Sequence, residues 1–389
     1  MTAPDRPLRI CLSPGTIGGG GIGMVNLYLA EAFLARGHAV DLLHFDDLGT
    51  RVPPAGCTSL RLATQARTAL PGMVCYLRRA RPDLIISARD YINLLMLAAR
   101  GLSGLRARDA QLVWSFHTDR TSELACQAGR RDRLAARALR QVLARQLRWR
   151  PDALVAVSQA VALGMQADLS LPAEAVRVIE NPVWTPARLQ ARQAPCPHPW
   201  LRDRAPLPVP RSKGLPPVVL AAGRLVAQKD FATLLDALAR LSGPQAPRLI
   251  LLGTGPLAPA LRAQLQAAGL SQRVDMPGHV ADVLPYMARA DLFVLPSRWE
   301  GFPLALVEAL GCGCPVVATD CPGGSGDILQ QGALGVLVPV GDATALAAAM
   351  ARVLADAHDP VPGMVQAHAY NADRAAARYL ALAAPEVGA

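Results

Sequence analysis

Glu300 and Glu308 bracket the segment Glu300-Gly-Phe-Pro-Leu-Ala-Leu-Val-Glu308, which follows the apolar run Asp291-Leu-Phe-Val-Leu-Pro296. Between Pro303 and Gly311 the only charged side chain is Glu308. A carboxylate on an otherwise apolar helix needs partners, because burying it alone carries a large desolvation penalty. Glu300 falls just ahead of that helix, where Gly301 frees the backbone and Pro303 suits the first helical position. Two carboxylates and several unpaired N–H groups thus gather at the carboxyl end of a strand, where open α/β sheets bind their ligands.

Two cations occupy a comparable position upstream. Ala222-Gly223-Arg224-Leu225 ends one strand-like run, and Lys229-Asp230 precedes a helix that Asp230 is placed to cap. Arg224 and Lys229 would suit a diphosphate, each charge pair at ~4 Å being worth about 4 kcal/mol at a surface-like dielectric. Arginine supplies a bidentate fork and lysine a point charge. Two solvated surface cations are the plain alternative in so arginine-rich a chain. That alternative suits Lys229 less well, because Lys213 is the only other lysine.

Glycine turns recur at strand ends. Gly253-Thr-Gly255 and Pro277-Gly278-His279-Val280 read singly as ordinary turns, whereas Cys321-Pro-Gly-Gly-Ser-Gly-Asp327 is small enough for its amides to approach an anion. The loop Gly15-Thr-Ile-Gly-Gly-Gly-Gly-Ile-Gly23, which includes Gly20 and Gly21, joins the first strand to the first helix. Gly18-x-Gly20-x-x-Gly23, with Asp46 beyond the second strand, also fits a dinucleotide fingerprint. Four consecutive glycines satisfy several patterns by chance, so a flexible turn, a dinucleotide site and a substrate loop all stay open. His117 ends Trp114-Ser-Phe-His117; a lone histidine is ordinarily structural, but this one stands at a strand end.

Elements able to position these residues follow from the apolar periodicity. Strands are expected at 8–12, 38–45, 84–87, 112–116, 153–157 and 176–180, with a first helix from about 23 to 36. After a proline-dense stretch, strands are expected at 217–222, 248–252, 274–276, 292–295, 315–319 and 335–339. Helices at about 230–241, 256–267, 282–289, 303–311 and 343–356 alternate with them. Strands separated by helices imply parallel, helix-covered sheets. The chain therefore divides into an α/β domain over 1–185, a linker over 186–216, an α/β domain over 217–365 and a last helical segment over 366–389.

Composition bounds the function. The 389 residues suit two domains, and 51% are hydrophobic, with no apolar run near the roughly 18 residues of a membrane span. The amino terminus reads as lacking a signal peptide. The eight cysteines are scattered, and Cys312-Gly-Cys314 with Cys321 has the wrong spacing for zinc, so reduced thiols in a cytoplasmic protein and no metal are expected. Of the net charge of +10, most lies in residues 1–185, which hold 23 basic against 15 acidic side chains. That half should meet something acidic. Arg130, Arg133, Arg137, Arg140 and Arg148 lie opposite Leu139, Val142, Leu143 and Leu147 at helical spacing. Such a face would suit an anionic membrane surface, or simply solvent. Without aromatic interleaving or a nucleic-acid motif, DNA and RNA are not expected as partners.

Taken in order, the motifs resemble glycosyltransferase family 4, the retaining nucleotide-sugar enzymes with two facing Rossmann-like domains (the GT-B fold). The resemblance rests on Gly19-Gly-Gly-Ile-Gly23 with Ala35-Arg-Gly-His-Ala-Val40, on Gly223-Arg-Leu-Val-Ala-Gln-Lys-Asp-Phe231, on Glu300 through Glu308, and on Thr319-Asp-Cys-Pro-Gly-Gly324. It implies that Glu308 binds the ribose hydroxyls, that Arg224 and Lys229 with Gly223 hold the diphosphate, and that Glu300 lies by the transferred sugar. In the 301–304 turn, Gly301, Phe302 and Leu304 would supply amides to sugar and phosphate, and Pro303 would contact the substrate beside them. Gly20 and Gly21, Val280 and Asp327 would complete the substrate contacts, and His117 would stand near the anomeric centre. Gly324-Ser-Gly-Asp327 departs from the family pattern, which usually places a glutamate there, and this puts donor preference in question. No metal or other cofactor is implied, and the C-terminal helix is expected to pack back on the first domain. The wording of the motifs resembles bacterial enzymes of lipopolysaccharide, capsule or exopolysaccharide synthesis. It implies a nucleoside-diphosphate sugar donor, UDP-linked, and a lipid-linked or polysaccharide acceptor at the inner membrane surface. An NAD-linked oxidoreductase using the 18–23 loop, and a non-catalytic sugar-nucleotide-binding protein, are the competing readings.

Overall fold

A computed structural model describes residues 6–18, 20–45, 51–63, 68–106, 109–118, 151–207 and 215–383. Contacts divide the chain into two units, Met1–Thr185 with Tyr370–Ala389, and Pro186–Ala369. Asp46, Lys213 and the arginine-rich stretch 130–150 lie outside the described residues.

In the first unit the strands are β1 (Arg9–Gly15), β2 (Ala39–His44), β3 (Thr58–Arg61), β4 (Leu84–Ala88), β5 (Gln111–Phe116), β6 (Ala153–Ala156) and β7 (Val176–Val178). They pair in the order β3-β2-β1-β4-β5-β6-β7, every pair parallel. The helices are α1 (Gly20–Ala35), α2 (Leu70–Ala80), α3 (Asp90–Ser103) and α4 (Gln159–Leu169). β4 is buried at all five positions, the continuous apolar run that a strand covered on both faces requires. β3 escaped the sequence reading because its Thr-Ser-Leu-Arg is largely exposed at the sheet edge and carries no apolar run.

The second unit holds α5 (Pro186–Ala191), β8 (Val218–Ala222), α6 (Phe231–Arg240), β9 (Arg248–Leu252), α7 (Ala258–Ala267), β10 (Val274–Gly278), α8 (Leu284–Met287) and β11 (Leu292–Leu295). It continues through α9 (Leu304–Gly311), β12 (Val316–Thr319), α10 (Ser325–Ile328), β13 (Val336–Val338), α11 (Ala343–Ala355) and α12 (Val361–His368). Its six strands, all parallel, run β10-β9-β8-β11-β12-β13. Numbered within the unit this is 3-2-1-4-5-6, the doubly wound order, whose switch point lies between β8 and β11. Leu234, Leu235 and Leu238 of α6 pack at helical spacing into a core with Leu249, Leu251, Val294 and Met350.

The stretch read as a linker is integral to this second unit. Cys196, His198 and Leu201 are buried there, with His198 Nε2 at 2.9 Å from Asp275. Its prolines limit periodicity, so the sequence carries no helical or strand signal for packing made by irregular chain. The segment expected as one helix from 366 is two: α12 stays with the second unit, and α13 (Ala372–Ala383) returns to the first. α13 packs on α1, and Arg36 meets Asp373 at 2.8 Å.

Candidate active site

Lys229 and Glu300 come together at the second unit's switch point. Lys229 follows β8 and Glu300 follows β11, the two strands that flank it. Lys229 Nζ donates to Glu300 Oε1 at 2.5 Å, and Ser297 Oγ donates to the same oxygen at 2.6 Å. Glu300 is 4% exposed. The lysine stem runs over Gly223, where an added Cβ would stand 3.3 Å from Lys229 Cε. Gly223 therefore makes room for the lysine.

Backbone bonds fix the two loops. Arg298 N donates to Gln228 O at 2.8 Å, and Gln228 Nε2 returns a bond to Trp299 O at 2.9 Å. Glu300 N donates to Pro322 O at 2.9 Å, and Gly323 packs so tightly on the Glu300 carbonyl that any Cβ would collide with it. With φ of +121°, Gly323 also holds a conformation L side chains rarely adopt.

Arg224, next to the buried Leu225, is exposed, and its side chain makes no hydrogen bond or ion pair among the described residues. It is thus available to an anion. Asp230 does not cap α6 through its side chain: it sits in the left-handed region at φ 45°, and its carboxylate lies 3.0 Å from Arg298. A left-handed residue cannot aim its side chain at the helix N–H groups as an extended N-cap does.

Glu308 has a partner that the sequence did not disclose. Arg188 of α5 donates to Glu308 Oε1 at 2.5 Å, with both side chains mostly buried. Nothing about an arginine inside a proline-dense stretch signals this contact. Burial raises the Glu308 pKa above the usual carboxylate range; Arg188 opposes that and Asp282 reinforces it. Both glutamates spend Oε1 inside the protein, and neither Oε2 makes a hydrogen bond among the described residues. Each therefore keeps one acceptor for a ligand.

Pro303 is the N-cap of α9 rather than its first residue, and Leu304 opens the helix without a side-chain cap. Gly301, Phe302 and Pro303 are buried, and Leu304 and Val280 are half-buried. Asp327 is exposed on α10. Cys312, Cys314 and Cys321 are buried free thiols, and no group of three or more metal-ligating side chains occurs among the described residues.

In the first unit, Gly20 opens α1 with φ of +78°, Gly21 is exposed, and Arg51 donates to the carbonyls of Ile17 and Gly20. Arg89, just past β4, donates to Thr16 Oγ1 at 3.0 Å. These loops leave β1 and β4, the switch-point strands of this sheet, and His117 follows β5 beside them. His117 Nε2 lies 3.0 Å from Ser115 Oγ. Burial, with a smaller contribution from the Arg89 charge, lowers the His117 pKa to about 3. The imidazole is therefore neutral at physiological pH.

The sequence matches two family descriptions, "Glycosyltransferase Family 4" over residues 19–185 and "Glycosyl transferases group 1" over residues 216–356. It is 36% identical over 154 residues to the lipopolysaccharide core biosynthesis glycosyltransferase LpsE of Rhizobium meliloti, covering 40% of this chain and 43% of that protein. It is 33% identical over 138 residues to the N-acetylgalactosamine-N,N'-diacetylbacillosaminyl-diphospho-undecaprenol 4-alpha-N-acetylgalactosaminyltransferase of Campylobacter jejuni, covering 36% and 37%. The matched segments thus span less than half of either relative. Among solved structures, Anabaena HepE in complex with UDP and glucose superposes with a TM-score of 0.70 at 21% identity, over 96% of this chain and 95% of that one. No finding supports the oxidoreductase reading of the 18–23 loop. With one family matched on each parallel-sheet unit, the chain belongs to the family 4, group 1 glycosyltransferases.

Proposed function

We propose that this protein transfers a sugar, with retention, from a nucleoside-diphosphate donor to a lipid-linked or polysaccharide acceptor. The observation that carries the reading is the Lys229–Glu300 pair at the switch point of the second sheet, with the Arg224 side chain, unpaired among the described residues, two residues past β8. Arg224 and Lys229 would neutralise the diphosphate, and the developing charge on the leaving group is where such cations lower a barrier most. This assigns metal-free catalysis to the chain's own cations and amides. Glu308 Oε2 would accept the ribose hydroxyls while Arg188 opposes the burial that favours protonation of the carboxylate. Glu300 Oε2 would face the sugar, with the amides of Gly301, Phe302 and Leu304. Gly223, Pro303, Val280 and Asp327 would shape the donor pocket, and Gly20, Gly21 and His117 would serve the acceptor-side chemistry.

UDP is the preferred carrier, supported by the fold shared with a UDP-bound protein, and an envelope glycan is the preferred product, supported by the names of the relatives. No helix among the described residues is long and apolar enough to cross a membrane. Attachment to an anionic membrane surface would rest on the basic first unit.

Incubating the protein with a panel of nucleotide sugars, with and without extracted envelope glycolipids, tests the reading. Donor hydrolysis or transfer that disappears in Lys229→Ala is the expected result. Donor binding without turnover across the whole panel would favour the non-catalytic reading instead.

A further inference from the structure

His117 does not stand alone at the end of β5. Ser115, two residues earlier on the same strand, points to the same face and is 1% exposed. Its Oγ lies 3.0 Å from His117 Nε2 and 3.2 Å from the hydroxyl of Tyr379. Tyr379 belongs to α13, the helix that returns to this unit from the far end of the chain, and is 3% exposed. Among the described residues Ser115 is the only hydrogen-bond partner of the Tyr379 hydroxyl. His117 Nδ1 is buried and has no partner among the described residues.

Proton counting gives this chain a direction. A buried phenol must donate its proton, and the acceptor available to it is Ser115 Oγ. Ser115 then has its own proton to give, and Nε2 is the acceptor within reach. If Nε2 instead carried the proton, Ser115 Oγ would receive two donors and leave its own O–H unused, or Tyr379 would leave its O–H unused. Nδ1 would in either case be a second unmet group. Only one arrangement satisfies Tyr379, Ser115 and Nε2 together, and it leaves a single unmet group, the N–H on Nδ1. Burial keeps the phenol protonated, with its pKa pushed up to about 12.

We infer that Ser115 and Tyr379 are positioning residues for His117, holding its imidazole as the Nδ1–H tautomer and offering that N–H as a hydrogen-bond donor to a substrate hydroxyl. The inference deepens the proposed function and rests on its assignment of His117 to the reaction. It also gives α13 a role beyond covering α1: the last helix sets the orientation of a side chain more than half the sequence away.

Nitrogen-15 NMR of the full chain with labelled histidine tests it, His117 being assigned by comparison with His117→Gln. The expected wild-type pattern is a protonated Nδ1 and an unprotonated Nε2. Ser115→Ala and Tyr379→Phe should each shift His117 toward the other tautomer and lower kcat about tenfold, the equivalent of one net hydrogen bond, with donor KM unchanged. Ser115→Thr, which keeps the hydroxyl, should restore both. A protonated Nε2 in the wild type overturns the inference, as does a tautomer shift that leaves kcat intact. If His117→Gln retains full turnover while the wild-type tautomer is as expected, it is the catalytic assignment of His117 that falls.

Discussion

The two sheets share one wiring and use it in opposite ways. Each is doubly wound, and each places its candidate site loops where the strand order reverses, at β1 and β4 in one unit and at β8 and β11 in the other. The second unit fills that place with ion pairs, Lys229 with Glu300 and, nearby, Arg188 with Glu308. The first fills it with glycine turns, the arginines Arg51 and Arg89 bonded to uncharged oxygens, and a neutral chain of hydroxyls and imidazole, Tyr379, Ser115 and His117. A buried charge without a counter-charge would cost several kcal/mol. The second unit therefore brings its own counter-charges and leaves the Arg224 side chain and one oxygen of each glutamate unpaired among the described residues. The first avoids the penalty by holding its histidine uncharged. Fold position alone thus predicts where chemistry occurs and not which kind.

The strongest way to break this contrast is Lys229→Ala, which removes a donor cation and leaves Glu300 buried without its pair. Turnover should fall by about 10²–10³-fold, as for loss of one transition-state donor. Steady-state kinetics checks it, and unchanged kcat would remove Lys229 from the chemistry.

Arg188→Ala probes the second pair by stability. Stranding Glu308 should cost about 3 kcal/mol at pH 8. Because burial already raises the Glu308 pKa, its ionised form is the penalised one, and protonation relieves the penalty. Denaturant melts should therefore show a smaller deficit at pH 5 than at pH 8. A deficit independent of pH would mean that Glu308 is not the group stranded.

The first unit should respond to acid with the opposite sign. The His117 pKa falls from 6.5 to about 3 on folding, so its contribution is present above pH 6.5 and is lost as pH drops toward 3. The slope is at most about 1.4 kcal/mol per pH unit. His117→Gln should flatten this part of the stability profile, and an unchanged profile would show that the imidazole is not held neutral.

The smallest effect is expected at Arg224. Its side chain is exposed and unpaired among the described residues, so Arg224→Ala should leave the melting temperature unchanged and weaken nucleoside-diphosphate binding by about 1 kcal/mol, less at high salt. Calorimetry at two ionic strengths measures both. Salt-independent binding would point away from a charge contact.

Strand and helix alternation, the carboxyl-end placement of Arg224, Lys229, Glu300 and Glu308, and the family itself were legible in the sequence. Local patterning carries all of them: buried parallel strands are continuous apolar runs, and strand-end loops collect glycine, proline and the few charges among them. Partnerships were not legible. Arg188 reaches Glu308 across 120 positions, Ser115 meets Tyr379 across 264, and the proline-dense stretch packs at Cys196, His198 and Leu201. Periodicity reports which face of an element is apolar and is blind to what arrives there from elsewhere in the chain. The sequence by itself thus determined the elements, their order and the residue types at their ends. The tertiary structure decided which charges neutralise each other, which oxygens stay open, and which helix holds the histidine, because hydrogen bonds and ion pairs act over ångströms in space and not along the chain.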